Sequence, residues 1–141
     1  MTALTVTAAQ VDVVFPEQAE IYTGICAETI TAGQSLFRDS NGKLQLADGN
    51  AAGEQQTRFL ALQDGVAGQA ISTLKNGHVY GFDLSGMAFD DPVYQSDTVG
   101  ALDTAAGTVN NPVGIVDAVT LDSANIVKVL YFNPRWRGDY S

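Results

Sequence analysis

Short apolar runs separated by turn-forming residues are the feature that most restricts the fold of this chain. Such runs recur about every 8–12 residues, and glycine, asparagine or aspartate separates them. This spacing is typical of strands in a sandwich or a barrel, and not of strands that alternate with helices. No window of about 12 residues shows a sustained apolar stripe at the helical period, so helix is predicted to be a minor component. The 14 glycines fit this prediction, because bulges and tight corners require them.

Predicted strands extend from the N-terminal region to residue 132. They cover residues 3–15, 20–27, 35–38, 43–46, 58–63, 69–74, 78–84, 93–95, 99–102, 113–119 and 126–132. Asn41-Gly42 is predicted to form a type I′ hairpin turn, which needs positive φ at both central positions, and Asn76-Gly77 a second tight turn. His78 directly follows the second turn, so we expect it to be exposed at a hairpin tip.

The predicted organisation is one β domain with an extension at each end. Residues 1–15 form an extended N-terminal strand or arm that ends at Pro16, residues 16–132 form the β domain, and residues 133–141 form a C-terminal tail. A chain of 141 residues suits one such domain. Within it, one series of elements occurs twice. The series is a strand with an apolar-aromatic pair, a polar turn, a return strand and a buried strand. The echo predicts two related halves, residues 20–65 and 78–120, although any turn-rich β-meander can produce one.

The charge of the chain argues against several classes of partner. It has 16 acidic and 7 basic residues, with a formal net charge of −9. Nucleic-acid binding requires a basic stripe that releases counterions, so no contact with nucleic acid is expected. A polybasic membrane patch is also missing, and no apolar run approaches the roughly 18 residues of a membrane span, so no membrane association is expected. The N-terminus lacks the basic segment of a signal peptide, which predicts synthesis in the cytoplasm.

Residue types that carry most enzyme chemistry are scarce. His78 is the single histidine and Cys26 the single cysteine, so a zinc site built from histidines and thiolates is nearly excluded. Asp90-Asp91, or Asp39 with Asn41, could contribute oxygen ligands to calcium, but neither follows an EF-hand pattern. The sequence has no phosphate-binding glycine loop and no nucleophile elbow. We therefore predict a protein that is not an enzyme and that uses no cofactor or metal.

The C-terminal tail has the most unusual composition. It holds the single tryptophan and two of the four arginines. Tryptophan, tyrosine and arginine are enriched in interface hot spots. The residues predicted to contact a neighbouring subunit or shell protein are Phe132, Arg135, Trp136, Arg137 and Tyr140. The alternative is that Trp136 folds back onto its own domain.

One stretch of the sequence resembles a known family. Residues 32–48, AGQSLFRDSNGKLQLAD, are similar to the characteristic stretch of small bacteriophage capsid decoration proteins, also called cement proteins. There a strand with Gly-Gln and an apolar-aromatic pair leads into a polar turn, a short return strand and a loop rich in alanine and aspartate. The similarity continues through residues 58–62, 67–72 and 113–116, and it spans roughly residues 20–132. The C-terminal tail has no counterpart in this resemblance.

The resemblance implies a fold, a partner and a location. The fold would be a compact, all-β barrel or β-tulip, with a sandwich as the alternative from spacing alone. The protein would be a homo-oligomer, most often a trimer, on the exterior of the capsid. It would clamp adjacent major capsid protein subunits after synthesis in the host cytoplasm. The N-terminal arm would add a strand to a capsid subunit, with Val11, Val13 and Phe15 as its contact residues.

Three other functions stay open from the sequence. The chain could be another virion module, such as a head-fibre base or a tail-associated protein. It could be a carbohydrate-binding β domain, which needs aromatic platforms on one face; the available rings are Tyr22, Tyr80, Tyr94 and Trp136. It could be an enzyme with a β-clip-like domain, with which the turn and strand rhythm around residues 32–34 is loosely compatible.

Overall fold

The structure is a computed structural model that describes residues 4–48, 57–106, 108 and 111–134, and for Leu121 the backbone alone. Within these residues the chain is an all-β domain, built on a curled antiparallel sheet that forms a half-barrel, which confirms the predicted fold class. The strands are β1 (Asp12–Val13), β2 (Glu20–Ile25), β3 (Ser35–Arg38), β4 (Leu44–Leu46), β5 (Phe59–Ala61), β6 (Ala70–Tyr80), β7 (Pro92–Gln95), β8 (Leu102–Asp103), β9 (Pro112–Asp122) and β10 (Asn125–Phe132). Two short 3-10 helices lie at Ala8–Gln10 and Pro16–Gln18. None of the helices in this described part is long and apolar enough to cross a membrane.

The strand order is the same from both ends of the sheet when the strands are counted within two runs, β3 to β6 and β7 to β10. It runs β4-β3-β5-β6-β10-β9-β7-β8, while β1 and β2 both pair with β6. In the first run, β3 to β6, strand β3 pairs with β4 and β5, and β5 pairs with β6. In the second run, β7 to β10, strand β7 pairs with β8 and β9, and β9 pairs with β10. The pairing scheme therefore occurs twice, in runs that begin at β3 and β7, and the two related halves, residues 20–65 and 78–120, stay a prediction.

Strand β6 belongs to both parts of the sheet. Its first half pairs with β2 and β5, and its second half, from Gly77 onward, pairs with β1 and β10. The prediction of a tight turn at Asn76-Gly77 is therefore wrong. A side chain at Gly77, which has a φ of +152°, would meet Cβ of Ala19 at 3.1 Å, so glycine here permits a close approach of the preceding chain. The predicted position of His78 at a hairpin tip is also wrong, because His78 lies half-buried within the strand.

The described part of the N-terminal segment, residues 4–15, lies along its own domain. Strand β1 pairs with β6, and the N–H of Val14 donates to the carbonyl of His78 at 3.0 Å. Leu4, Val11 and Val13 pack half-buried against the larger core. Of the strand predicted over residues 3–15, the described part forms a strand only at Asp12–Val13, because a 3-10 helix at Ala8–Gln10 interrupts it. The addition of this segment to a capsid subunit stays a prediction.

Two apolar clusters form the core, and strand β5 contributes to both. Leu60 packs in the larger cluster, whereas Phe59 and Ala61 pack in the smaller one. Successive side chains of a strand point to opposite faces, so β5 is buried on both sides and separates the clusters. The larger cluster also contains Leu74, Val79, Leu84, Met87, Val93, Leu102, Val113, Val116, Leu130 and Phe132, and the smaller one Cys26, Ile30, Leu36, Leu44 and Ile71.

The first run closes around the smaller cluster. A parallel bridge joins Cys26, directly after β2, to Leu44 in β4, and the N–H of Ala27 donates to the carbonyl of Leu44 at 2.8 Å. Because β2 also pairs with β6, the strands β2, β6, β5, β3 and β4 form a ring. Cys26 lies inside it, and burial raises the pKa of its thiol.

The turn between β3 and β4 lies at the predicted residues but differs in type. Gly42 has a φ of +78° and Asn41 does not have a positive φ, so the prediction of a type I′ turn is wrong. The N–H of Gly42 donates to the carbonyl of Asp39 at 3.0 Å, and the N–H of Asp39 donates to the carbonyl of Lys43 at 2.9 Å. These bonds define a three-residue loop, a type I turn followed by a bulge with glycine in the left-handed region.

A buried polar network joins the two runs. The side-chain amide of Gln95, which is fully buried, donates to the carbonyls of Ala47, Ser96 and Ala101 at 3.2, 3.1 and 3.1 Å. Its side-chain oxygen accepts a hydrogen bond from the hydroxyl of buried Thr57 at 2.7 Å. Because Ala47 follows β4 and Thr57 precedes β5, this one side chain fixes the position of the first run relative to the second.

Candidate binding surfaces

The predicted contact residues have different surroundings in the structure. Val11 and Val13 are half-buried along their own domain, and the ring of Phe15 meets that of His78 edge-on with centroids 5.5 Å apart. Phe132 is fully buried in the larger cluster. Its prediction as a contact residue is wrong, because this position of β10 faces the core. The remaining predicted contacts lie outside the described residues: Arg135, Trp136, Arg137 and Tyr140.

Pairing of strands β6, β10 and β9 brings together a polar and aromatic cluster that centres on His78. His78 lies opposite Tyr131 in the ladder, and their rings stack with centroids 4.7 Å apart. Nε2 of His78 lies 2.8 Å from Oδ2 of Asp117 on β9. The hydroxyl of Tyr131 donates to the side-chain oxygen of Asn76 at 3.4 Å. We call these four residues, together with Phe15, the His78 cluster.

Electrostatics in the His78 cluster favour a charged carboxylate. The hydrogen bond from His78 is the main cause that lowers the pKa of Asp117, and the N–H of Ala118, which donates to Oδ1 at 2.8 Å, is the second. Asp117 therefore orients the imidazole and presents a negative charge beside the stacked rings. A catalytic triad also requires a nucleophile on the histidine, and in the described part of the chain no hydroxyl or thiol is hydrogen-bonded to this ring. Across the described ranges no group of three or more histidine, cysteine, aspartate or glutamate residues is placed to hold a metal ion.

The outer face of β2 is a second candidate surface. Ile21 and Ile25 are 50% and 40% exposed, and Thr23 between them is exposed as well. The alternating residues Tyr22 and Gly24 point inward, where Tyr22 packs on the smaller cluster. Side chains alternate along a strand, so Ile21, Thr23 and Ile25 share the outward face. We call these three residues the β2 outer face.

Residues around the β2 outer face carry no charge over most of its extent. Ala70, which pairs with Ile25, is exposed, and Ser72, which pairs with Thr23, is half-buried. Leu74, which pairs with Ile21, is fully buried. The charged boundary is the pair at one end, where Nζ of Lys75 lies 3.9 Å from a carboxylate oxygen of Glu20. The β2 outer face is therefore a neutral, β-branched strip on a strongly acidic chain.

The hairpin of β9 and β10 is a third exposed apolar region. Ile126 and Val127, near its turn, are 53% and 37% exposed. Adjacent residues of a strand point to opposite faces, so these two do not form one surface. The hairpin tip therefore presents single apolar side chains rather than a strip.

Sequence reasoning did not find the β2 outer face or the contact between His78 and Asp117. The alternation of Ile21, Thr23 and Ile25 within a predicted strand was an available signal, but it does not show which face the rest of the domain covers. His78 and Asp117 are 39 positions apart, and they meet only because β6, β10 and β9 pair in one register. Nothing local to either residue encodes that register.

Comparison of the chain with protein-family models, with curated proteins and with solved structures gives no match.

Proposed function

We propose that this chain is a structural virion protein that binds the outside of a bacteriophage head and stabilises contacts between major capsid protein subunits. The observation that carries the proposal is the β2 outer face, with Ile21 and Ile25 about half exposed on a chain of net charge −9. An apolar strip with charge only at its border is typical of the centre of a protein interface, where charged residues are depleted. The resemblance of residues 32–48 to capsid decoration proteins supports the capsid as the partner.

The scaffold beneath this strip is suited to a mechanical role. Strand β2 is anchored along its length to β6, and the smaller cluster lies beneath its inner face. A rigid strand can present side chains to a partner without losing much conformational entropy on binding. The acidic surface faces solvent in this arrangement, and the matching patch on the capsid subunit is neutral or basic.

Modest affinity per copy is sufficient for such a protein. Burial of apolar surface contributes about 25 cal/mol per Å² before the cost of association. A closed homo-oligomer, with a trimer favoured, would engage several capsid subunits at once and so raise the total affinity. The function needs no reaction chemistry and no cofactor, and its site of action is the capsid exterior after synthesis in the host cytoplasm.

The test is binding to heads purified from the phage that encodes the chain and stripped of this protein. We expect the wild-type protein to co-sediment with these heads in many copies per particle. The double variant Ile21→Lys, Ile25→Lys should lose binding by about tenfold or more, since each lysine places a charge in a desolvated contact. Binding is measured by sedimentation and quantitative mass analysis.

A matched control separates the β2 outer face from exposed apolar residues in general. Ile126→Lys changes an isoleucine of similar exposure at the hairpin tip and should bind heads like the wild type. Thermal unfolding of all variants should stay close to that of the wild type, because exposed substitutions change stability by about 0.5 kcal/mol or less. Wild-type protein that does not bind heads contradicts the capsid proposal, and a few copies at one vertex or on the tail would favour a fibre-base or tail-associated module.

A further inference from the structure

Lysines and arginines are distributed unevenly over the described chain. The described residues of 20–76 include four of them and five carboxylates, whereas those of 77–134 include one lysine and seven aspartates. One part of the molecule is therefore nearly neutral and the other strongly acidic. The four cations are Arg38, Lys43, Arg58 and Lys75, and the seven aspartates are Asp83, Asp90, Asp91, Asp97, Asp103, Asp117 and Asp122.

Two arginines of the nearly neutral part lie beside a stacked pair of aromatic rings. Tyr22 and Phe59 stack with ring centroids 4.5 Å apart. Cζ of Arg38, an exposed residue, lies 4.9 Å from the ring centre of Tyr22, and Cζ of half-buried Arg58 lies 5.9 Å from that of Phe59. Among the carboxylates of the described ranges, none forms a salt bridge with either guanidinium group. We call Arg38 and Arg58 the arginine pair.

A tight loop of the acidic part presents an aromatic ring and a carboxylate side by side. Phe89 is 46% exposed, and the exposed Asp90 has a φ of +69°, a left-handed conformation that aspartate tolerates better than most residues. The loop is held in place, because the N–H of Asp90 donates to the carbonyl of Val116 at 2.7 Å and that of Asp91 to the carbonyl of Ala88 at 3.2 Å. We call residues 88–91 the Phe89 loop.

Lys128 is the cation beside the Phe89 loop in the same chain. Its Nζ lies 5.5 Å from the ring centre of Phe89, but it donates to the carbonyl of Met87 and forms no salt bridge with Asp90. In the described part of the chain no group is hydrogen-bonded to the carboxylate of Asp90. This carboxylate is therefore available to a cation of another molecule.

We propose that the arginine pair of one copy of this chain binds the Phe89 loop of a second copy, with Arg38 paired to the carboxylate of Asp90. A guanidinium group binds a carboxylate through paired hydrogen bonds and also stacks on aromatic rings. The ring of Phe89 then packs beside the arginine side chains, and Arg58 adds a second positive charge next to the acidic loop. Each group that one site presents has a matching group in the other.

Charge complementarity selects a second copy as the occupant. The arginine pair needs an acidic surface, and the chain itself supplies one in residues 77–134. The capsid patch that suits the β2 outer face is neutral or basic and does not match two arginines. Because the two sites differ, the contact is heterologous, and its repetition yields a ring when the rotation between copies closes.

This inference rests on the proposed function in one respect, since the homo-oligomer proposed there is the assembly that this contact would hold together. It goes further by naming the residues that meet between copies. Its test uses the protein alone, without phage heads. A protein that associates through this contact but does not bind heads would contradict the capsid proposal and leave this one standing.

Sedimentation velocity over a range of protein concentrations tests the contact. The wild-type protein should associate, and the association should weaken at high salt, because exposed charges are screened. Arg38→Glu and Asp90→Asn should each raise the dissociation constant about tenfold or more, as expected when one partner of a charge pair in an interface is lost. Asparagine suits this test, since it also tolerates the left-handed conformation at position 90.

An exchange of charges gives the sharper result. Arg38→Glu combined with Asp90→Lys in one chain should recover most of the association that Arg38→Glu alone loses, because the pair is restored with its signs reversed. Lys75→Glu and Asp122→Asn are the matched controls. They make the same changes of charge outside both sites and should associate like the wild type.

Three results would overturn the proposal. The first is a wild-type protein that stays monomeric at every concentration, and the second is equal association of Arg38→Glu and Lys75→Glu. The third is a charge-exchange variant that does not recover association although its circular dichroism and thermal unfolding match those of the wild type.

Discussion

The two runs of the sheet share one pairing scheme, but the first closes into a ring and the second carries a long exposed hairpin. In the first run the middle strand, β5, is three residues long and is buried on both faces. In the second run the corresponding strand, β9, is 11 residues long, and its hairpin with β10 carries exposed Ile126 at its tip. The same order of hydrogen-bonded strands is therefore part of a closed ring in the first run and carries a long exposed hairpin in the second.

Different contacts hold the two ends in place. The first run is closed by the bridge between Cys26 and Leu44, which brings β2 against β4. The second run has no such strand in the described residues, and the loop before β7 supports it instead. There the ammonium group of Lys128 donates to the carbonyl of Met87 and lies 5.5 Å from the ring centre of Phe89. The first run therefore encloses the smaller apolar cluster, whereas the hairpin of the second run leaves apolar side chains exposed.

The largest expected effects come from the two buried phenylalanines, one in each cluster. Phe59→Ala in the smaller cluster and Phe132→Ala in the larger one should each lower the free energy of unfolding by about 3–5 kcal/mol, because each leaves a cavity. Both residues are fully buried. Strand β6 and the network of Gln95 join the runs, so both variants should unfold in a single transition. Urea unfolding followed by fluorescence and circular dichroism would measure this.

A stepwise transition in either variant would break the comparison in its present form. It would mean that the two runs unfold separately, although both pair with strands of the same sheet. Coincident curves from both probes, with an unchanged dependence on urea, would instead support one cooperative unit.

Gln95 tests the link between the runs. Gln95→Leu keeps the approximate volume but leaves the carbonyls of Ala47, Ser96 and Ala101 without its amide, and Thr57 without its acceptor. We expect a loss of about 1–3 kcal/mol, because the buried Thr57 hydroxyl loses its acceptor, whereas the carbonyls of Ala47 and Ala101 still accept from the N–H groups of Gly100 and Ser96. Chemical unfolding measures the loss. A stability equal to that of the wild type would show that the runs are held together by their apolar contacts alone.

The turn of the first run should show the smallest effect, and a dependence on pH. The carboxylate of Asp39 accepts hydrogen bonds from the N–H groups of Asn41 and Lys43, each at 2.9 Å, and from the amide of Gln45 at 2.7 Å. The bond from Lys43 is the main cause that lowers its pKa below the ordinary value of 3.8. Asp39→Ala should cost about 1 kcal/mol at neutral pH, the typical net value of such bonds.

The sign of the pH effect follows from that lowered pKa. A carboxylate with a lower pKa in the folded state contributes stability above its unfolded pKa, and the contribution is lost as the pH falls through the folded value. The difference between the wild type and Asp39→Ala should therefore be constant at neutral pH and shrink below about pH 4. Thermal unfolding at a series of pH values measures it, and a difference that grows on acidification would contradict this role for Asp39.

The fold class was predictable because it depends on local patterns, whereas the candidate site was not. Regular spacing of apolar runs is a property of each segment, and most predicted strands lie near observed ones, whereas residues 3–15 form a strand only at Asp12–Val13 in their described part. The Asn-Gly dipeptide illustrates where local signals stop being sufficient. At Asn41-Gly42 the chain turns, although with a different type of loop. At Asn76-Gly77 the same dipeptide lies inside the 11-residue strand β6. There, pairing with β2, β5, β1 and β10 outweighs the local preference for a turn.

The surfaces depend on register and on what covers each face. The cluster around His78 exists because Tyr131 lies opposite His78 and Asp117 lies one strand further. Likewise, Phe132 was expected at the surface because it adjoins the arginine-rich tail, but its strand position points it into the core. Register and burial follow from long-range pairing, which no single segment of sequence contains.

The central place of β10 has a consequence for synthesis of the protein on the ribosome. This strand is the last of the sheet to emerge, yet it lies between β6 and β9 in the middle of the strand order. Before it emerges, β9 carries unpaired main-chain groups along one edge, and β6 carries them from Gly77 to Val79. Nascent chains that end before Phe132 should therefore attract chaperones or associate with one another, and the completed sheet can form only after translation has passed Phe132.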